Sequence, residues 1–460
     1  MRIHTAFTCR VLLFYGVLVL ASVNPAQADR EVETSWKAGV GRIEITPEAP
    51  LWMAGFASRT QPSEGVLLPL WAKALALEDE QGNQAVLVTS DLLGFPKTVS
   101  DRIRDRIETD HGLGRAQIIL SGSHTHGGPV VGDSLRCMYP MNAEHEAAVL
   151  RYTASLEDKI VALVGDAFNA LMPAALFSGN GIARIAVNNR NNNEAAMTTS
   201  TLPVGPSDYD VPTLSVLRSD GSLAAIVFGY ACHPTALAGY LFSGDFTGYA
   251  QVFLEEAHPG AAALYFAGCG GDQKAIPRQG RTIAMARQYG QTLAAAVTRV
   301  LEEPMRPLAA HLRVAYDEVL LDLEPAPDAD AYRDRAENTR GYEHLCNQWM
   351  LDRLEREGSL PTAWPVPVQL WRLGEQRLVT IGGEVMVEYA LRIKELLGES
   401  TFVMGYANDL MSYLPSERVL EEGGYEGASA QLIYGMPNVW KPGLEARILD
   451  AVEELARITE

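Results

Sequence analysis

The sequence predicts an α/β chain, a mixed β-sheet core flanked by helices, on three observations. Short apolar or alternating runs recur and end in Gly, Asp or His. Amphipathic segments with helical spacing often follow them, and no internal repeat or low-complexity tract breaks the pattern. Taken in order, residues 72–77, 85–89, 117–120, 214–217, 224–230 and 263–267 read as strands by run length and bounding residues. Residues 98–110, 144–171, 283–303 and 384–397 carry good helix formers at helical spacing. Residues 188–212, rich in Asn, Thr, Ser and Pro, read as a long surface loop. Residues 323–365 read as a Pro-bounded, charged helical excursion. Residues 368–374 and 377–384 read as a hairpin that ends at Glu384, which then opens a helix.

The N-terminus predicts the compartment. Arg2 and Arg10 precede an apolar run over 11–23, which leads into Asn24-Pro25-Ala26-Gln27-Ala28. A basic start, a short h-region and an Ala-x-Ala site are the marks of a secretory signal peptide, cleaved after Ala28, so a secreted or periplasmic protein is expected. The run falls short of the roughly 20 apolar residues that span a bilayer. No later stretch reaches that length, so no stable membrane insertion is expected. The mature region, 29–460, is expected to be one hydrolase domain. Its formal charge falls from −19 to −21 once Arg2 and Arg10 are removed. An acidic chain without basic runs argues against nucleic acid and against anionic membrane surfaces as partners. Four cysteines remain, Cys137, Cys232, Cys269 and Cys346. They allow three full pairings or can stay as buried thiols, and the sequence leaves both open.

Four segments carry chemistry. In Ser121-Gly-Ser-His124-Thr-His126-Gly-Gly-Pro129 a strand delivers two histidines into a glycine-rich turn. Residues i and i+2 of an extended segment share a face, so His124 and His126 can converge on a metal; two loop histidines with ordinary hydrogen bonds are the other reading. Ala231-Cys-His233-Pro places a third His where an apolar strand meets a turn, as a structural residue or a ligand. Ala267-Gly-Cys-Gly-Gly-Asp272 runs a strand into glycines and an acid, either a capped turn or a close backbone approach to a ligand. Glu384 reads as an acid at a helix N-terminus or as a metal ligand.

In this order the segments resemble the catalytic domain of the neutral (alkaline, non-lysosomal) ceramidases. Ala38-Gly-Val-Gly-Arg-Ile-Glu-Ile-Thr-Pro47 and Met53-Ala-Gly-Phe56 are similar to the start of that domain. Val88-Thr-Ser-Asp91 and the His124 motif are similar to its first metal motif, and Asp245-Phe-Thr-Gly-Tyr249 to the segment after its second His. Ile381-Gly-Gly-Glu384, Asn408-Asp-Leu-Met-Ser-Tyr413-Leu-Pro415 and Gly424-Tyr425-Glu-Gly427 are similar to later motifs, so the resemblance spans about 38–440. It implies one Zn2+ per chain held by His124, His233, Glu384 and Tyr413. It implies His126 as the proton-transferring residue, Tyr425 as donor to a developing oxyanion, and Arg190 in an Asn-Arg element lining the pocket. The implied reaction is hydrolysis of an acyl amide in a small-molecule or lipid-derived substrate by zinc-activated water.

Departures accompany the likeness. Ceramidases read Gly-Asp-Val-Ser-Pro-Asn at the third motif, where this chain reads Gly271-Asp272-Gln273-Lys274-Ala275-Ile276, without the Ser. Asp272 and Lys274 are expected as substrate-binding residues; Lys274 either binds a carboxylate or phosphate on a different substrate or points into solvent. The spacing from Glu384 to Tyr413 is short for the family, and no C-terminal β-sandwich is expected after the catalytic domain. Two alternatives stay open: hydrolysis of a different acyl or ester bond in a small polar substrate, and a non-catalytic metal- or ligand-binding member.

Overall fold

The computed structural model describes residues 34–460 apart from 199 and 278–279, so the signal-peptide expectation lies outside the described residues. A nine-stranded sheet is built from β1 (Trp36–Glu44), β2 (Trp71–Glu78), β3 (Gln84–Ser90), β4 (Ile118–Gly122), β5 (Met172–Ile182), β6 (Asp210–Arg218), β7 (Leu223–Tyr230), β8 (Ala262–Ala267) and β9 (Arg306–Leu308). Its order is β8-β7-β6-β5-β1-β2-β3-β4, with β9 on β5. The two ends are parallel pairs, β3 with β4 and β7 with β8, and the middle is antiparallel. β8 is apolar and buried at every position, as expected of a parallel strand covered on both faces.

A second sheet holds β10 (Leu312–Asp322), β11 (Ala363–Leu373), β12 (Gln376–Ile381) and β13 (Phe402–Met404), in that order. Strand alternation sorts side chains between two cores. Ala72, Ala74 and Ala76 of β2 face a core with α1 (Lys97–His111), α2 (Ala143–Asn169), α3 (Asp245–Ala257) and α4 (Ile283–Glu302). Leu75 and Leu77 face the other way, onto Trp371, Leu373 and Leu378 of the second sheet.

The helices start and stop as their residues dictate. Asn142 caps α2 by accepting the His145 N–H, Thr282 caps α4 through Met285, and Gly112 ends α1 at a φ of 71° that favours glycine. The predicted excursion holds α5 (Ala329–Asn338) and α6 (Tyr342–Glu357), packed with a small satellite core around Tyr332, Met350, Leu351 and Leu360. The predicted hairpin is β11–β12, turning at Gly374. The helix expected from residue 384 begins later: α7 is Val387–Leu397. Among the described residues, no helix is long and apolar enough to cross a membrane.

One feature of the large sheet positions the site. Its outermost strands, β4 and β8, are drawn together by residues 405–408. The Gly405 N–H donates to Ala267 O (3.0 Å), and the Asn408 N–H to Leu120 O (2.7 Å), with Asn408 Oδ1 accepting the Leu120 N–H in return. The C-terminal ends of both parallel pairs therefore open onto one place.

Candidate metal centre

β4 ends at Gly122, and His124 follows in a left-handed turn with φ 60°. The expectation of an extended His-x-His does not hold, because the strand has already ended. The turn converges the rings instead, with the Nε2 atoms of His124 and His126 3.4 Å apart. His233 follows β7, its N–H donated to Gln273 O at 2.8 Å. Glu384 reaches the centre from the second sheet. Rather than opening a helix, Glu384–Val385 forms a short parallel bridge with Tyr413–Leu414, and the Glu384 N–H donates to Ser412 O at 2.8 Å. That pairing commits the backbone away from helix and sets Glu384 beside Tyr413.

His124 Nδ1 lies 3.0 Å from Leu93 O, and His233 Nδ1 2.6 Å from Gly270 O. A carbonyl oxygen only accepts, so each Nδ1 carries a hydrogen and each neutral ring turns a lone pair at Nε2 inward. Both Nε2 atoms face Glu384 Oε2, at 3.1 and 2.9 Å, and that oxygen receives no hydrogen bond. The Tyr413 hydroxyl is 3.3 Å from His233 Nε2. All four side chains are buried. Lone pairs this close repel unless a cation or a proton lies between them. Two imidazoles, a carboxylate and a phenol oxygen make a donor set suited to zinc.

Burial alone would raise the Glu384 carboxyl; only positive charge and hydrogen-bond donation from the His124 and His233 rings hold it well below the usual carboxylate range, and with both rings neutral a bound cation would supply that charge instead. Burial lowers His233, with Glu384 opposing. Burial raises the Tyr413 phenol well above its usual range and the Glu384 charge adds to the rise, so this tyrosine keeps its proton unless a cation compensates.

His126 differs from the other two histidines. The three bring nitrogens within 4.8 Å of one another. Yet His126 Nδ1 is buried without a hydrogen-bond partner, and no carbonyl fixes which nitrogen carries the hydrogen. Burial first, and then its neighbouring imidazoles, push its pKa well below the usual histidine value, so it is neutral at pH 7. Gly55 lets it sit there: a Cβ at that position would come 2.4 Å from Nδ1. The Arg59 guanidinium donates to the His126 carbonyl oxygen at 2.7 Å.

The remaining expected residues fall on a rim. Tyr425 is 43% exposed and packs edge-on to Tyr413, ring centres 5.5 Å apart. Arg190 pairs with Glu426 (2.8 Å) and Glu422 (2.9 Å) and donates to Gly423 O (3.1 Å), so it holds the turn that carries Tyr425. The Lys274 backbone bridges that of His233, and its positive charge helps to lower the Glu426 pKa. Asp272 is fully buried. Its oxygens accept from Val387 N (3.1 Å), Gln273 Nε2 (3.2 Å) and Asn188 Nδ2 (2.7 Å), so it caps α7 and ties down the 188–190 turn. Both oxygens of Asp272 are thus engaged within the fold.

Two residues escaped the sequence reading. The Tyr434 hydroxyl donates to Glu384 Oε1, the oxygen turned away from the histidines. The Tyr406 ring lies against His124, centres 4.2 Å apart. Neither sits in a spacing that marks a ligand, and only the closing of residues 405–408 onto the sheet explains Tyr406.

A cavity of about 340 Å³ adjoins His126, lined by Leu67, Leu237, Leu241 and Ile283 as well as by Arg59 and Arg281. A second, of about 330 Å³, is lined by Tyr434 together with Trp349, Trp364 and Asp409.

Comparison with known proteins gives one answer. Residues 36–284 match the family model described as neutral/alkaline non-lysosomal ceramidase, N-terminal. Neutral ceramidase of Pseudomonas aeruginosa is 30% identical over 265 residues, 55% of this chain and 37% of its own length. Neutral ceramidase B of Dictyostelium discoideum is 27% identical over 51% of this chain and 33% of its own length. The chain thus matches over about a third of the length of these curated relatives. The crystal structure of the Pseudomonas aeruginosa neutral ceramidase superposes with a TM-score of 0.71 at 21% identity, over 92% of this chain and 74% of that one. A ceramidase complexed with C2 gives 0.70 at 19% identity.

Proposed function

The chain belongs to the neutral/alkaline non-lysosomal ceramidase family, and on that premise we propose that it is an exported, zinc-dependent hydrolase of an acyl amide bond. One observation carries the reading: two inward-facing Nε2 atoms and an undonated Glu384 oxygen meet about one shared point. His124, His233, Glu384 and Tyr413 would hold the ion, one per chain. When bound, zinc supplies Lewis-acid activation of water and of the acyl carbonyl.

The chain's own residues do the rest. Neutral His126 accepts a proton at Nε2 and returns it to the leaving nitrogen, burial and the neighbouring rings leaving it unprotonated at pH 7. Tyr425 donates its hydroxyl to the carbonyl oxygen as negative charge develops there. Arg190 positions Tyr425 through the 423–426 turn rather than touching substrate. Leu237, Leu241 and Ile283 give the cavity beside His126 apolar walls suited to a lipid-derived acyl substrate. The leader over 1–28 would direct export, leaving 29–460 as the catalytic domain.

A second reading rests on Lys274, whose charge bears on both His233 and Glu426 at the rim. A cation there suits an anionic group on a small polar acyl or ester substrate. The experiment is zinc per chain by elemental analysis of 29–460, followed by a panel of neutral N-acyl amides and anionic acyl esters, with and without chelator. About one zinc and chelator-sensitive cleavage of the amides is expected. Preference for the anionic esters would move the assignment to the second reading, and bound metal without turnover would leave a binding protein.

A further inference from the structure

Cys137 and Cys346 lie 209 residues apart in sequence, yet their sulfurs face each other at 2.7 Å in the interior. Cys137 stands in the single turn Arg136–Met138, and Cys346 on the buried face of α6. We propose that these two thiols form a disulfide in the mature protein, fastening the α5–α6 excursion to the wall of the metal centre.

Three features support the bridge. The sulfurs come from remote elements that only tertiary folding brings together, so the contact is not an accident of local sequence. The excursion packs on a small satellite core and joins the main core at Cys346, beside Tyr342 and Trp349, so a tie at Cys346 falls where the excursion meets the rest of the fold. Third, Cys137 Sγ lies 3.2 Å from Ile433 O and 3.4 Å from Leu432 O, immediately before Tyr434, which holds Glu384. The tie would therefore fix the segment that orients a ligand carboxylate.

The chemistry balances with an external disulfide as oxidant. Each thiol loses a proton, and the pair gives up two electrons as the S–S bond forms. Those electrons reduce glutathione disulfide, or a protein disulfide, to two thiols through a mixed-disulfide step. Both sulfurs are buried, so the exchange belongs to folding, before α6 has docked. An oxidising compartment supplies such a partner.

The test uses the full mature chain, refolded with reduced and oxidised glutathione, unfolded in the presence of an alkylating reagent and digested without reductant. The expected result is one linked pair of peptides, containing Cys137 and Cys346 and lighter by two hydrogens, with Cys232 and Cys269 alkylated. Four alkylated cysteines, or a bridge involving Cys232 or Cys269, would overturn the proposal. A thermal melt gives an independent readout. The oxidised wild type should melt a few degrees lower after dithiothreitol, and Cys346→Ser should not respond. Equal responses from the two proteins would also overturn it. Neither readout depends on bound metal or on activity, so failure here leaves the hydrolase reading standing.

Discussion

His124, His233 and Glu384 are oriented by backbone: two carbonyl oxygens fix the rings, and a two-residue bridge fixes the carboxylate. Arg190 and Tyr425, on the rim, depend on side-chain ion pairs and a turn, whereas Lys274 has its backbone in a short strand and only its side chain to vary. The difference has a physical basis. Backbone hydrogen bonds at buried strand ends are part of the sheet itself, so the metal-facing atoms are set as soon as the fold forms. Rim groups are held by partners that water and salt compete for, so their geometry can change without loss of the fold. The centre is built to keep one chemistry, whereas the rim can change what is presented to it. That fits a third motif that departs from the family's at Gln273 and Lys274.

The largest effect should come from His124→Ala or Glu384→Ala, which should abolish bound zinc and lower turnover by more than the ~10- to 100-fold that outer partners cost. Retained zinc at one per chain in either variant would show that these side chains do not hold the ion. Next is Tyr434→Phe, which leaves the packing and deletes only the hydrogen bond to Glu384 Oε1. Zinc affinity should fall about 10- to 100-fold, measured by competition with a chelating dye, with little change in melting temperature.

Asp272→Ala tests which side of the comparison that acid belongs to. It leaves the buried Val387 N–H unpaired and takes one of the two bonds of the Asn188 amide, which keeps Pro206 O, so stability should fall by about 1–3 kcal/mol in denaturant melts. The KM of the protein that still folds should be unchanged; a raised KM would return Asp272 to substrate binding.

Asp409 offers a smaller, pH-dependent test on the wall of the Tyr434 cavity. Burial raises its pKa to about 7, against the opposing Trp364 hydrogen bond and Lys97 charge. A carboxyl whose pKa is raised on folding binds its proton more tightly in the folded state. Its contribution is therefore fully present below about pH 4, the unfolded value, and is lost as the pH rises to about 7. Asp409→Asn should flatten that decline, by at least about 1 kcal/mol between pH 4 and 7. Parallel stability profiles for the two proteins would rule the effect out. The smallest change should come from Arg190→Ala: turnover lowered several-fold with zinc retained, and stability lowered by about 1 kcal/mol.

Legibility followed the range of the interactions. Strand positions such as 85–89, 224–230 and 263–267 were visible because alternation and run length are local signals, and each lies within or beside its observed strand. β1 and β5 passed unread. β1 carries Gly39 and Gly41, whose missing Cβ atoms let α2 approach, so close packing replaces the apolar alternation that marks a strand. The start of α7 was misplaced because Glu384 has good local credentials as a helix N-terminal acid. A distant partner, Tyr413–Leu414, took its backbone instead, and Asp272 supplied the cap.

By itself the sequence determined the class of fold, the acidic character of the chain and the residues with chemistry to offer, because composition and short spacings carry that information. Only the tertiary structure decided which of them meet. His124 and His233 follow strands near opposite edges of one sheet, and residues 405–408 draw those edges together by hydrogen bonds to Ala267 and Leu120. No local pattern encodes a contact between groups more than a hundred residues apart, since its free energy appears only once the whole sheet has closed. The same closure brought Asp272 to the start of α7, set Tyr434 against Glu384, and set Cys137 against Cys346.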